Sequence, residues 1–295
     1  NDIINPRWSV KNSQGGQKTN RIFGTAQLNY EYNDNLTFTY RYGLDWYNER
    51  NTSYSNKDGV NFNDAIFGYL DSYDNNVSVN THYVGMNGSY ELSDNIGMTF
   101  TVGAESQNRS YDREGVGSTG QIVFGVLQHF NFENQVAISY HASKNTAGVF
   151  ASADLDFNDF LFFNVSARND WVSNLPTKNN SMFYPSASIA FIPTAAIPDL
   201  KSDNLSYFKT RISYGTSAGF PGGYPTVNSV NQNTNVNGGL NGGIITNSVS
   251  NFQANPDLKP ELLGEFEVGI YLTSTLLIFG YLWLKGFFKK TSFRA

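Results

Sequence analysis

The feature that most constrains this chain is a strict two-residue alternation of apolar and polar side chains, sustained over runs of ten residues or more and repeated along its length. From Arg21 to Tyr32, Ile22, Gly24, Ala26, Leu28, Tyr30 and Tyr32 alternate with Arg21, Thr25, Gln27, Asn29 and Glu31. After Asn33-Asp34-Asn35 the pattern resumes, with Leu36, Phe38, Tyr40, Tyr42, Leu44 and Trp46 set against Thr37, Thr39, Arg41, Gly43 and Asp45. Period two places successive side chains on opposite faces of a strand, so these segments form a long β-hairpin closed by a tight turn. The same unit recurs at 84–92 and 96–104 about Ser93-Asp94-Asn95, at 122–132 and 136–142, and at 149–157 and 161–171 about Asn158-Asp159; single runs follow at 183–191, 208–216 and 266–272. About eleven strands and almost no helix are expected.

Strand length and loop length narrow the class. Globular strands usually run about 5–6 residues, whereas a tilted strand needs about 9–11 to cross a bilayer. Connections alternate between turns of two or three residues and longer segments, notably 48–78 and 218–261. Long loops on one end and short turns on the other are the pattern of a transmembrane β-barrel. Tyr30, Tyr32, Trp46, Tyr47, Tyr90, Phe157, Phe160 and Trp171 fall at strand ends, where interfacial aromatic girdles sit. The fold class expected is therefore all-β, an antiparallel transmembrane barrel with one face on lipid and the other on a wet lumen.

Composition agrees. Of 295 residues only 15% are charged and the net charge is −5, while 23 Phe, 18 Tyr and 4 Trp supply a large aromatic content. Polarity is thus mostly neutral, as a lumen wall requires, and the absence of a basic block argues against a nucleic-acid partner. Zero Cys excludes disulfides, thiolate zinc sites and thiol nucleophiles. The longest apolar run, Leu272 to Leu284, is 13 residues with Thr273, Ser274 and Thr275 inside it, short of a membrane helix. The start at Asn1 resembles neither an initiator nor a signal peptide, and a mature segment or fragment is expected.

Several stretches resemble the SusC/RagA family of TonB-dependent outer-membrane transporters of Bacteroidetes-type bacteria. They are Asn5-Pro6-Arg7-Trp8 with Thr19-Asn20-Arg21-Ile22-Phe23-Gly24; Ser166 to Trp171 followed by Leu175-Pro176, Asn179-Asn180-Ser181 and Phe183-Tyr184-Pro185-Ser186; and Asn255-Pro256-Asp257-Leu258-Lys259-Pro260-Glu261. The resemblance implies about half of a ~22-stranded barrel over residues 1–271. It further implies a plug domain and TonB box that this sequence does not contain, and location in the outer membrane of a Gram-negative bacterium. The implied role is energised import of oligosaccharides or peptides, with a SusD-like surface lipoprotein as lid and the TonB complex as partner. Residues 272–295 depart from the pattern, since an apolar run is followed by Lys285, Lys289, Lys290 and Arg294, and are expected to be an atypical tail, truncated or frame-shifted. A passive porin or surface adhesin, and a soluble carbohydrate-binding β protein, are the competing readings.

No catalytic constellation stands out, and neither enzyme activity nor a cofactor is expected. Gly115-Val116-Gly117-Ser118-Thr119-Gly120 spells G-x-G-x-x-G, but it is expected in a loop feeding a strand rather than opening a helix, which rules against a dinucleotide site. His129 and His141 are expected on neighbouring strands, without the carboxylates a metal centre needs. Lumen-facing charges are Arg41, Asp45, Glu105, Asp154, Asp156, Arg168, Asp170, Lys209 and Arg211. Candidate solute contacts are the loop aromatics Tyr54, Tyr69, Tyr73, Phe220 and Tyr224, beside Asn, Asp and Gly, a combination that suits sugar rings.

Overall fold

The computed structural model describes residues 6–60, 63–202, 205–222, 226, 228, 230–233, 246–249, 253–273 and 286–290. Its strands are β1 (Ser13–Asn33), β2 (Leu36–Ser55), β3 (Tyr69–Ser93), β4 (Ile96–Gln121), β5 (Phe132–Phe157), β6 (Leu161–Val172), β7 (Ser181–Phe191), β8 (Tyr207–Gly219), β9 (Val230–Asn233), β10 (Thr246–Val249), β11 (Glu261–Thr273) and β12 (Gly286–Lys290). Ten of them form one sheet in the order β1-β2-β3-β4-β5-β6-β7-β8-β11-β12, and β9 pairs with β10 separately. Each neighbour in the large sheet is antiparallel. Short helices occur only in connections and at α1 (Pro6–Asn12). The result is a wall rather than a packed domain: one layer, not closed on itself among the described residues.

Register keeps the two faces separate. From β2 to β8 the only irregularity between paired strands lies at the turn beside Ser93, so side-chain parity is carried from strand to strand without slipping. One face collects Ile22, Leu28, Phe38, Tyr40, Val84, Val102, Val149, Phe163, Ile189, Ile212 and Val268, all of them exposed. Ile22 is 64% exposed and Leu28 69%, values that a water-facing sheet would not sustain over so wide a patch. Most buried side chains lie instead near the ends of the strands: Ala65, Leu70, Phe132, Asn56, Gln121 and Asn131 at the long-loop end of β1 to β5, Val172, Asn174 and Leu175 above β6, and Ala190, Ile192 and Thr194 at the opposite end, with Asn75 and Val77 buried within β3.

Four expectations are corrected. The segments 122–132, 136–142 and 149–157 are not three strands: 122–131 is a loop with a single turn of 3-10 helix, and Phe132–Phe157 is one strand of 26 residues. The loop keeps its backbone bonds through Asn131, whose Nδ2 donates to the carbonyls of Val123 (2.8 Å) and Val126 (2.9 Å) while its Oδ1 accepts from Val123 N (3.1 Å). Segment 143–148 is polar on both faces yet pairs fully with β4, because a ladder needs only backbone groups. For the same reason 48–78 is mostly strand, its loop reduced to residues 56–68, and Gly115 to Gly120 lie inside β4. His129 therefore sits in a loop and not on a strand beside His141; it bonds Ser118 (2.8 Å), and His141 contacts Asp112.

Loop sorting follows the expected alternation, with one exception. Residues 34–35, 94–95 and 158–160 form tight turns at one end, and 56–68, 122–131, 173–180 and 220–260 connect strands at the other. Asn158 (φ 50°) and Asp159 (φ 57°) take the left-handed conformation in the third turn. The exception is 192–206, a longer connection on the short-turn end, built from two short helical turns. Of the tail, Leu272 and Thr273 complete β11 and Gly286–Lys290 pair with it; residues 274–285 and 291–295 lie outside the described residues.

If the apolar face meets lipid, its centre should resist charge. Arg at Tyr40 or Phe163 is expected to cost up to about 4 kcal/mol in barrel-folding titrations, and Arg at Thr39 or Asn164, one residue away on the other face, far less. Equal costs on the two faces would overturn the assigned alternation.

Candidate functional site

The nine charged residues singled out from sequence share a face. Arg41 pairs across β3 with Tyr83, Tyr83 with Glu105, Glu105 with Gly148, and Gly148 with Asp170. Parity then carries the face to Asp45, Asp154, Asp156, Arg168, Lys209 and Arg211. Several hold one another: Arg168 Nε donates to both carboxylate oxygens of Asp170 (2.8 and 3.0 Å), and Asn164 Nδ2 donates to Asp154 (2.7 Å). Asp156 is spent at the turn, accepting from the Asp159 amide (2.9 Å). Two partners were not among the sequence candidates. Arg21 forks onto Asp45 (2.8 and 2.7 Å), and Glu267 takes Arg211 (2.8 Å); both occupy polar positions of their strands, a signal available from the alternation.

Sequence reasoning also missed aromatics on this polar face. Arg41 lies 4.7 Å above the Tyr83 ring, Arg168 5.5 Å from Phe150 and Lys209 5.7 Å from Phe162, while Tyr83 and Phe150 stand 5.9 Å apart. Cations over ring faces are attracted by the quadrupole, so a strip of two neighbouring rings flanked by guanidinium groups crosses β2 to β6. It lies flat because Gly85 and Gly103 face each other beneath it. A Cβ on Gly103 would come 2.6 Å from the Phe150 ring and 2.8 Å from the Val84 carbonyl, so no larger residue fits there without moving backbone.

Along β2 to β5 the apolar face ends part-way. On β2 the apolar run Leu36 to Trp46 gives way to Asn48, Arg50 and Thr52; on β4 Ala104 gives way to Ser106, Asn108 and Ser110; on β5 Val149 gives way to Asn145 and Ser143. The run from Leu36 to Trp46 spans 11 residues, the length that crosses a bilayer. The strands, of 20 to 26 residues, continue well past it with hydrophilic side chains on that face.

Three of the five candidate solute contacts fall on this extension. Tyr54 lies in β2, and Tyr69 and Tyr73 in β3, so none of the three is a loop residue; ladder pairing simply runs further than polarity suggests. Register puts Tyr69 and Tyr73 on the polar face and Tyr54 on the opposite one. Phe220 directly follows β8, half-buried, and Tyr224 lies outside the described residues. The tips are tied down by amides. Asn56 Oδ1 accepts from Gln121 Nε2 (3.0 Å) and Gly125 N (3.2 Å), Gln121 Oε1 accepts from Lys57 N (2.9 Å), and Lys57 Nζ reaches the Ile122 carbonyl (2.8 Å).

Two sequence stretches about eighty residues apart also meet at this end. Lys178 contacts Asp257, and Asn179 Nδ2 donates to the carbonyls of Asp257 (3.1 Å) and Leu258 (3.2 Å). The ammonium lowers the Asp257 pKa below the usual carboxylate range. Asn174 Nδ2 donates to the Pro221 carbonyl (2.6 Å), anchoring the start of the longest connection.

These features match a known family along almost the whole chain. The profile described as "TonB dependent receptor-like, beta-barrel" covers residues 1–292. The chain belongs to the TonB-dependent receptor β-barrel family. Among solved structures, that of the RagAB peptide transporter superposes with a TM-score of 0.79 at 18% identity, over 90% of this chain and 29% of that one. The RagAB peptide importer in its "open-open" state gives 0.77 at 18%, over 94% and 29%. The Ferric-Catecholate import receptor Fiu from K12 E. coli, in its closed form, gives 0.52 at 13%, over 87% and 38%. This TonB-dependent receptor barrel segment thus spans less than a third of the length of the RagAB chains it matches. No curated protein sequence matches it.

Asn56→Ala is expected to remove one of the two acceptors of the buried Gln121 amide, which keeps the Val126 carbonyl, and the acceptor of the Gly125 N–H, at about 1–3 kcal/mol for the buried Gln121 donor. Limited proteolysis should then cut within 122–131 faster than in wild type while the barrel stays folded. Unchanged resistance would show that the clamp is dispensable.

Proposed function

We propose that this chain forms one wall of an outer-membrane importer that is energised through TonB and takes up oligosaccharides or peptides together with a SusD-like surface lipoprotein. The observation that carries the reading is the two-faced sheet: a bilayer-length apolar band on one side, a charged and amide-rich wall on the other, and long connections gathered at one end. In this reading Arg41, Asp45, Glu105, Asp154, Asp156, Arg168, Asp170, Lys209 and Arg211 face a wet lumen. Tight turns lie in the periplasm and the extended strands β2 to β5 stand outside the cell. Peptide transport, named for the RagAB structures, supports the peptide alternative for the solute.

The lid and solute are expected to meet the outer connections. The longest, between β8 and β11, is Gly- and Asn-rich from 228 to 243, outside the described residues apart from 228 and 230–233, and too poor in apolar side chains to hold a core of its own. Deleting 228–243 is expected to leave barrel assembly intact, since loop length costs little in closure entropy, and to weaken co-purification of the lipoprotein or growth on the cognate nutrient as sole carbon source. If both match wild type with the protein at normal outer-membrane levels, that connection is a passive spacer. Protease added to intact cells should cut at 56–68 or 220–260; cleavage confined to the turns near Asn33 or Asp94 would reverse the orientation.

A further inference from the structure

Past the apolar band, the polar face carries cations that form no ion pair among the described residues. Register sets Arg109 of β4 directly opposite Lys144 of β5, and Arg113, four residues further along β4, opposite Tyr140 on one side and Asn75 on the other. Like charges facing each other across a ladder repel. Yet among the described residues none of the three takes part in an ion pair.

Arg113 is also fixed in place. Its Nε donates to Asn75 Oδ1 (2.8 Å), its guanidinium lies 4.8 Å from the Tyr73 ring centre and 5.7 Å from that of Tyr111, and Tyr140 braces Tyr111 edge-on at 5.8 Å. The Tyr111 hydroxyl donates to the same Asn75 oxygen (3.0 Å). Asn75 is buried, and its Nδ2 donates to Glu49 Oε2 (3.2 Å), so the carboxylate in this row is tied to the amide rather than to the guanidinium. With Nε engaged on Asn75, the two terminal nitrogens of Arg113 keep their donors for a ligand. A guanidinium pre-set in this way matches a carboxylate bidentately.

We infer that Arg113, Arg109 and Lys144 form a binding station for acidic peptides on the outer part of the importer wall; this rests on the importer reading above. Arg113 takes one carboxylate and the Arg109–Lys144 pair a second. Four residues of strand separate the two, about 13 Å at 3.3 Å per residue, the spacing of a terminal carboxylate and an acidic side chain on an extended peptide. Arg113 lies over one face of Tyr73 and beside Tyr111, so the station offers its guanidinium ahead of its rings, which favours a carboxylate over a neutral sugar.

The test is calorimetric titration of the protein purified from outer membranes in detergent. The probes are an Asp/Glu-rich hexapeptide, its Asn/Gln counterpart with an amidated C-terminus, and a hexagalacturonate. The acidic peptide is expected to bind at least about tenfold more tightly than the neutral one, and Arg113→Gln to remove about tenfold of that affinity while leaving the neutral peptide unchanged. Arg113→Lys, which keeps the charge and loses the fork, should fall between. Equal affinity for the two peptides, or tighter binding of the galacturonate, overturns the assignment. Heat-modifiable gel mobility checks folding; should Arg113→Gln not assemble, the Arg109→Gln/Lys144→Gln double variant is read by the same criterion. Uptake of the acidic peptide by cells tests the importer reading separately. Binding without uptake sinks that reading and keeps the station, whereas uptake with affinity unchanged in the variants sinks the station alone.

Discussion

Everything in this structure depends on one constraint: a strand in hydrocarbon must pair every backbone N–H and C=O with a neighbouring strand. The response is an unbroken antiparallel ladder, strand to adjacent strand in chain order, with β2 to β8 in register except beside one turn. Because side chains alternate with period two, an unslipped ladder also transmits face identity across the sheet. A residue on β2 and one on β8 can therefore face the same solvent although no contact joins them. Slip one pairing by a residue and every strand beyond it would turn lipid-facing side chains inward.

A single layer with two solvents has no room for an ordinary core, and its packing is distributed accordingly. On the polar face, side chains lie along the sheet instead of standing away from it: Arg41 on Tyr83, Arg168 on Phe150, with the Gly85–Gly103 pair providing the floor. Apart from Asn75 and Val77 within β3, tight packing gathers where strands end, and there amides do much of it. Asn56, Gln121 and Asn131 satisfy loop backbone that no ladder reaches, which accounts for buried Asn and Gln at the tips. The edge at β1 remains unpaired among the described residues, and an open edge is what barrel closure removes.

Two solvents also explain the change of polarity along β2 to β5. Within the bilayer-length band the apolar face meets lipid; beyond it both faces meet water, and amides and hydroxyls replace Tyr, Val and Trp on the same parity. There the wall gains what a soluble surface would hold, including Arg113 fixed between tyrosines. In water, cations such as Arg109 and Lys144, which form no ion pair among the described residues, can stand opposite one another at a modest cost that high dielectric keeps small.

How much was legible follows from the same physics. Within the membrane band, lipid on one side and water on the other impose alternation on the residues themselves. Strands such as 36–46 and 161–171, the shared face of the nine charges and the sorting of loops could therefore be read directly. Outside the band water lies on both sides and alternation is no longer enforced, so 48–55, 69–80, 107–121 and 143–148 look like loops although backbone pairing continues. The ladder is blind to side-chain polarity, and only coordinates reveal its length. For the same reason Tyr54, Tyr69 and Tyr73 looked like loop residues. Sequence alone determined the class of fold and which residues share a solvent, because solvent acts on each residue one at a time. Tertiary structure decided which distant groups meet, Lys178 with Asp257 and Arg113 with Asn75 and Tyr73, because those contacts depend on register between strands, a property of the pairing and of no single strand.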